Sequence, residues 1–196
     1  AQIYGTVQLT DVVQIGALLP LMCLALAGMT KSAQLPFSTW LLGAMVAPTP
    51  SSALLHSATM VKAGVYLLIR ISPALAGNLV GIIVSSIGGF TFIMASMMAI
   101  AQHDAKKVLA FSTISNLGLI VACAGVGTPE AVWAAAFLVL FHAIAKSLLF
   151  LCVGTAEHHI GSRDIEDMDL LFDRMPRLAR FMMLGIMCMF IAPFGM

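Results

Sequence analysis

Apolar residues occur along this chain in long runs, and short polar stretches separate the runs. A helix needs about 20 apolar residues to cross the hydrocarbon core of a bilayer, which is close to the length of these runs. The pattern therefore predicts an all-α fold, a polytopic transmembrane helix bundle forming one membrane domain over residues 1–196. We place the predicted transmembrane segments at residues 12–47, 51–71, 78–101, 108–126, 131–153 and 181–196.

Two of these segments contain a proline that should interrupt the helix. Residues 31–36, Lys-Ser-Ala-Gln-Leu-Pro, place a charge and Pro36 in a segment too long for one straight helix and short for two. Proline removes a backbone donor and clashes with the preceding turn, and broken helices are tolerated at membrane depth only against protein or a cavity. We therefore predict discontinuous helices, broken near Pro36 and near Pro193. The alternative at Pro36 is two ordinary helical pieces with a re-entrant link.

Basic residues are distributed unequally between the two predicted membrane faces. Residues 156–180 form a hydrophilic segment, which we predict to be a loop. If the segments alternate across the membrane, one face holds only Arg70, and the face that includes the loop holds Lys106, Lys107, Arg163, Arg174, Arg177 and Arg180. Cytoplasmic loops of membrane proteins carry an excess of Lys and Arg, so we predict that the loop is cytoplasmic.

Composition agrees with a membrane protein and excludes several other classes. The chain is 60% hydrophobic and 10% charged, with a net charge of +1 and a mean hydropathy of +1.00. Soluble domains average about 25% charged residues, which excludes an ordinary cytosolic enzyme or a disordered linker. The near-neutral charge provides no basic field for nucleic acid. The four cysteines show no metal-ligand spacing, so we expect no metal or cofactor in this chain.

Three lysines lie inside apolar sequence without a carboxylate in the same segment: Lys31, Lys62 and Lys146. An ammonium at the bilayer centre costs about 2.5–3.5 kcal/mol on insertion scales, so such lysines usually face a bundle interior or a hydrated cavity. His142 precedes Lys146 by four residues, which places both on one face of a helix. This pair could pass a proton through an intervening water. The alternative is a structural lysine that binds a helix break.

Other polar residues are candidates for proton relay on weaker grounds. Lys31 lies at the predicted break, where it is either a relay or a lysine that extends to the interface. His56 and Lys62 share a segment, but a regular helix would place them about 120° apart. Lys107 is a candidate relay at the inner mouth, although Lys106 and Lys107 beside Asp104 could equally be a solvated helix end.

A polar cluster, Ser112, Ser115 and Asn116, follows the i, i+3, i+4 spacing of one helix face. These side chains could hydrate a proton path along that face. Hydrogen bonds that pack one helix against another are an equally good explanation.

Four sequence blocks together resemble a known family. Residues 31–41, 47–67, 104–118 and 141–151 are similar to the antiporter-like subunits of respiratory complex I, of Mrp-type sodium/proton antiporters and of energy-converting membrane hydrogenases. The resemblance implies that this chain is the middle of a roughly fourteen-helix subunit with an inverted-repeat antiporter-like fold, of which it is a partial copy. Both ends should therefore be incomplete.

The resemblance also implies roles for individual residues. Lys31 matches the lysine of the first broken helix, His56 the histidine of the next helix, and Lys107 a relay lysine. Lys146 matches the central lysine, and His142 one histidine of the central segment. The family's glutamate that pairs with the first of these lysines would precede residue 1, and the ionisable residue of the second broken helix would follow residue 196.

We expect from the resemblance a proton-translocating subunit of a complex I-like, redox-driven ion pump. Residues 161–168 are more similar to the hydrogenase relatives, so an energy-converting hydrogenase is favoured. Alternatives are a subunit of a Mrp-type Na⁺/H⁺ antiporter, the equivalent subunit of NADH:quinone oxidoreductase, and a passive membrane scaffold. The chain would belong to an oxidoreductase only as one of its subunits. Fe–S clusters and Ni–Fe or flavin are expected in partner subunits.

The expected partners and location follow from the same resemblance. The partners are other membrane and peripheral subunits of a multi-subunit complex, the lipid bilayer, and H⁺ or Na⁺ as the transported ion. The expected location is the inner or cell membrane of a prokaryote, with the mitochondrial inner membrane as the alternative.

Overall fold

The computed structural model describes residues 18–169 and 171–191, which form a bundle of helices without a β-strand among them. The α-helices are α1 Leu18–Lys31, α2 Thr39–Gly43, α3 Thr49–Ala53, α4 Met60–Leu75, α5 Leu79–Ile100, α6 Ala105–Val126, α7 Pro129–Ile160, α8 Leu171–Arg174 and α9 Pro176–Ile191. Within these described ranges, four helical stretches are long and apolar enough to cross a membrane, namely Thr49–Leu75 and helices α5, α6 and α7. The predicted all-α, multi-pass membrane bundle is confirmed.

The first predicted segment is interrupted directly after Lys31. Helix α1 ends there, Ser32–Ser38 form turns, and α2 has only 5 residues, too few for an ordinary membrane-spanning piece. The backbone groups that the break releases find other partners, since Gln34 N donates to Met29 O at 3.1 Å and Leu35 N donates to Thr91 Oγ1 at 3.2 Å. Residues 12–17 of this segment, and the predicted break at Pro193, lie outside the described residues.

The second membrane-crossing stretch contains a wide turn. A π-helical turn over Leu54–Ala58 joins α3 to α4 within Thr49–Leu75. The separation of about 120° predicted for His56 and Lys62 assumed a regular α-helix. The π-helical turn changes the rotation per residue between the two side chains, so the regular helix assumed in that prediction does not continue from His56 to Lys62.

Helices α5 and α6 approach each other through glycines on both sides of the contact. An ideal Cβ atom on Gly88 would lie 2.5 Å from Ala122 N, and one on Gly118 would lie 2.7 Å from Phe92 N. A Cβ atom on Gly125 would likewise lie 2.9 Å from Gly81 O. Small residues allow helix backbones to approach closely in membranes, so these glycines set the distance between α5 and α6.

The structure corrects the predicted loop at residues 156–180. Helix α7 continues to Ile160 and ends at Gly161, whose φ of +80° is the left-handed conformation common after helix C-termini. Helix α9 already begins at Pro176, before the predicted start at residue 181. The prediction took the change to polar residues as the end of the helix, but Ala, Glu and His are compatible with a helix and do not end it. The described segment between the two helices therefore spans residues 161–169 and 171–175.

The segment after α7 contacts the turn before α6. Ala105 N donates to Arg163 O at 3.0 Å, and Ile165 N donates to His103 O at 2.9 Å. Asp104 caps α6 by accepting the backbone N–H groups of Lys106 and Lys107. The two basic turns that were predicted to share one membrane face therefore lie side by side at one end of the bundle.

Candidate functional site

Lys146 lies in the interior of the bundle, on the central part of α7. Its side chain is buried, with 1% of the residue surface exposed. The ammonium contacts α6 at two acceptors, Ser112 Oγ at 2.5 Å and Leu109 O at 3.3 Å. No described carboxylate lies within 4.0 Å of Lys146. The structure therefore places a long cationic side chain in the core with neutral oxygen partners.

His142 is one turn before Lys146 on α7 and is also buried. Both ring nitrogens are buried and have no hydrogen-bond partner among the described residues. The spacing of four residues keeps the imidazole and the ammonium on the same helix face, as the sequence predicted. An imidazole can both donate and accept a proton, so its position beside a lysine suits proton exchange.

Lys62 on α4 reaches the same region of α7. Its side chain is buried, and Nζ donates to Val139 O at 2.6 Å. Val139 precedes His142 by three residues and Lys146 by seven, a rise of about 10 Å along α7. The structure thus brings Lys62, His142 and Lys146 together along about two turns of one helix.

The π-helical turn positions His56 and Ser57 against the same part of α7. The buried ring of His56 lies 6.4 Å from the ring of Phe150, measured between centroids. Ser57 Oγ lies 3.0 Å from Ser147 Oγ, so a hydroxyl pair joins the turn to the residue after Lys146. Sequence reasoning did not single out this pair, because an isolated serine in an apolar segment usually bonds its own helix backbone, as Ser57 and Ser147 also do through Ala53 O and Ala143 O.

The predicted polar cluster on α6 has two kinds of contact. Ser115 Oγ lies 2.7 Å from Ser96 Oγ on α5, and Asn116 Nδ2 donates to Ser112 O at 2.8 Å. The first contact packs α5 against α6, whereas the second lies within α6. The same three residues also line, with Lys146, a largely apolar cavity of about 880 Å³. The helix face that could hydrate a proton path is therefore the same face that packs against α5.

Lys31 and Lys107 lie apart from this cluster. Both side chains are exposed in the described part of the chain. The Cβ atom of Lys31 lies against Gly64, 3.0 Å from the position that a Cβ atom on Gly64 would occupy. Their relay roles remain predictions. The neighbouring Lys106, which the sequence had not favoured, is instead buried and pairs with Glu157 at 2.7 Å.

Hydrophobic periodicity could not have distinguished Lys106 from Lys107. Helix α6 is buried on almost all sides, so residues four positions after each lysine, Ala110 and Phe111, are both buried. A better signal was available on α7, because Glu157 follows Lys146 by eleven residues and therefore lies on the same face.

Over residues 18–169 and 171–191, no group of three His, Cys, Asp or Glu side chains is close enough to hold a metal ion.

Comparison with known proteins places this arrangement in a family. The family described as "NADH:quinone oxidoreductase/Mrp antiporter, TM" matches residues 2–195. A probable subunit of a K⁺/H⁺ antiporter from Rhizobium meliloti (strain 1021) is 46% identical over 166 residues, covering 84% of this chain and 17% of that protein. The putative antiporter protein mnhA2 of Staphylococcus aureus (strain MRSA252) is 42% identical over 192 residues, covering 90% of this chain and 24% of that protein. The chain thus spans about a sixth to a quarter of the length of these relatives.

Two solved structures share the fold. The Mrp complex from Dietzia sp. DQ12-45-1b superimposes with a TM-score of 0.77 at 37% identity, over 98% of this chain and 22% of the matched chain. The membrane-bound sulfane sulfur reductase, an archaeal respiratory membrane complex, gives a TM-score of 0.77 at 27% identity, over 84% of this chain and 35% of that chain. Since the family match extends over almost the whole sequence and these solved structures share its fold, the chain belongs to the transmembrane family of NADH:quinone oxidoreductases and Mrp antiporters.

Proposed function

We propose that this chain is the proton-conducting part of an antiporter-like subunit in a multi-subunit cation/proton antiporter of the Mrp type. The observation that carries the proposal is Lys146, a buried lysine in the middle of a membrane-crossing helix, bound only to neutral oxygens among the described residues. Ionisable residues in membrane helices are costly and are usually retained for function.

The proposed mechanism is electrostatic. Lys62, His142 and Lys146 are buried along about two turns of α7. Like charges repel strongly in a bundle interior, where water screens them poorly. The three groups are therefore not expected to carry their protons together, and a proton that arrives at one group displaces a proton from the next.

Hydroxyl groups complete the proposed path. Ser112 accepts a hydrogen bond from Lys146 and lines the apolar cavity with it. On another side of α7, the Ser57–Ser147 pair adjoins the His56 turn. A hydroxyl can accept one proton while it donates another, so these serines are suited to connect the charged groups.

Mutation of Lys146 in the complete complex tests the proposal. Proton transport in inverted membrane vesicles should be lost with Lys146→Ala, which removes the proton-carrying group. Lys146→Arg should lose it too, because a guanidinium keeps the positive charge but does not release its proton. The matched control is Arg70→Gln, which removes an exposed positive charge from α4. Normal transport by Lys146→Ala in a correctly assembled complex would instead support the passive scaffold.

The choice between an antiporter and a redox-driven pump concerns partner subunits. Relatives named as antiporter subunits share 42–46% identity with this chain, which supports the Mrp type. The similarity to the sulfane sulfur reductase, at 27% identity, is the observation that favours a redox-driven alternative. The hydrogenase branch, inferred from residues 161–168, remains a prediction. A purified complex with bound iron, nickel or flavin would support the redox-driven alternative, whereas a complex without them that exchanges cations for protons would support the antiporter.

A further inference from the structure

A partly buried ion pair of the described chain lies outside the proposed proton path. Lys106 Nζ on α6 lies 2.7 Å from Glu157 Oε2 on α7, and the side chains are 3% and 20% exposed. The other carboxylate oxygen, Oε1, accepts a hydrogen bond from Arg163 Nε at 2.5 Å. Glu157 therefore joins three parts of the fold: the start of α6, the end of α7 and the segment that follows α7.

Glu157 and Lys146 occupy one face of α7. The residues at positions 146, 150, 153 and 157 fall within about 60° of the helix circumference. Phe150 and Val153 lie between the two polar residues and are almost completely buried. This face of α7 thus has one polar contact with α6 at each end of an apolar stretch.

The apolar stretch determines what the ion pair can do. Proton transfer between side chains requires hydrogen-bonding groups in series, and Phe150 and Val153 supply none between Glu157 and Lys146. No side chain on this face of α7 therefore links the two residues directly. The two charged partners of Glu157 instead suit it to hold the helix ends together.

We propose that Glu157 is a positioning residue for proton transfer at Lys146. Through Lys106, it keeps the first turns of α6 against α7, so that Ser112 Oγ stays within reach of Lys146 Nζ. If Lys146 carries protons, its hydrogen bond to Ser112 opens during transport. The Lys106–Glu157 ion pair keeps α6 and α7 in register while that hydrogen bond is open. This inference rests on the proposed function of Lys146.

A double-mutant cycle in the complete complex tests the inference. Glu157→Gln and Ser112→Ala should each lower the maximal rate of proton transport roughly tenfold, since small displacements of reacting groups have effects of this order or larger. The double variant should be no slower than the single variants, because both changes remove the same contact. The cation concentration that gives half-maximal rate should stay unchanged in all three.

Two further variants serve as controls. Glu166→Gln makes the same chemical change in an exposed carboxylate, 82% exposed and paired with His103 at the same end of the bundle, and should transport normally. Lys106→Arg keeps the ion pair and should retain most of the rate. If Glu157→Gln does not assemble, Glu157→Asp replaces it in the cycle, and the expected non-additivity with Ser112→Ala is the same.

The failures of the two ideas can be distinguished. Normal transport by Glu157→Gln, or rate losses that multiply in the double variant, would overturn the positioning role while Lys146→Ala still abolishes transport. Normal transport by Lys146→Ala would overturn the proposed function itself, and the positioning role with it.

Discussion

Gly88 offers a direct test of how α5 and α6 pack. A Cβ atom at this position would lie 2.5 Å from Ala122 N and 2.7 Å from Gly118 O, both of which are backbone atoms that cannot rotate away. Favourable contacts between heavy atoms require about 3.5 Å or more. Gly88→Ala must therefore move the two backbones apart by about 1 Å, which disturbs the neighbouring contacts along the interface.

The expected cost follows from this displacement. Overpacking a well-packed contact typically costs about 1–3 kcal/mol, and for a unit of this size each kcal/mol lowers the melting temperature by about 2–4 °C. The shift per kcal/mol is smaller in a larger unit, so Gly88→Ala should lower the melting temperature of the detergent-solubilised complex by a few degrees at most, measured as loss of the intact complex on size-exclusion chromatography after heating.

The adjacent residue is a matched control for this experiment. A Cβ atom on Gly89 would meet nothing within 4 Å. Gly89→Ala removes conformational freedom from the unfolded chain and should be neutral or slightly stabilising. The reasoning fails if Gly88→Ala melts at the wild-type temperature, or if Gly89→Ala is equally damaging.

Three further substitutions have defined expectations. Lys62→Met removes the charge whose ammonium binds Val139 O, and proton transport should fall about a hundredfold if Lys62 transfers protons; wild-type rates would remove it from the path. Ser57→Ala breaks the hydroxyl pair with Ser147 and should cost about 0.5–1.5 kcal/mol in thermal stability; an unchanged melting temperature would contradict this. Asp104→Ala removes the N-cap of α6 and should cost about 1 kcal/mol, seen as a lower melting temperature.

Each of these variants has a matched control in exposed positions. Arg70→Gln removes a positive charge from the far end of the same helix as Lys62, and Ser86→Ala removes a hydroxyl at an exposed site of α5. Asp173→Ala removes an exposed carboxylate that caps no described helix. All three controls should behave as the wild type does.

Several features of the fold could be predicted because they depend on the chain's local properties. Proline at position 36 and the polar residues before it interrupt a helix regardless of what packs against it, and the structure ends α1 at Lys31. The spacing of His142 and Lys146 likewise places them on one face of any regular helix, and both are buried. The π-helical turn at Leu54–Ala58 had no such local signal, and it interrupts the regular helix that was assumed between His56 and Lys62.

The solvent of this protein follows from its amino-acid pattern alone, because long apolar runs with 10% charged residues are stable only in a bilayer. The same pattern identifies the lysines that are costly to bury there. What those lysines contact depends instead on how the helices pack: Lys62 binds a carbonyl of α7, and Lys106 rather than Lys107 is buried against Glu157. Consecutive residues on a helix differ by about 100° in direction, so the rotation of each helix against its neighbours determines which of two adjacent lysines finds a partner.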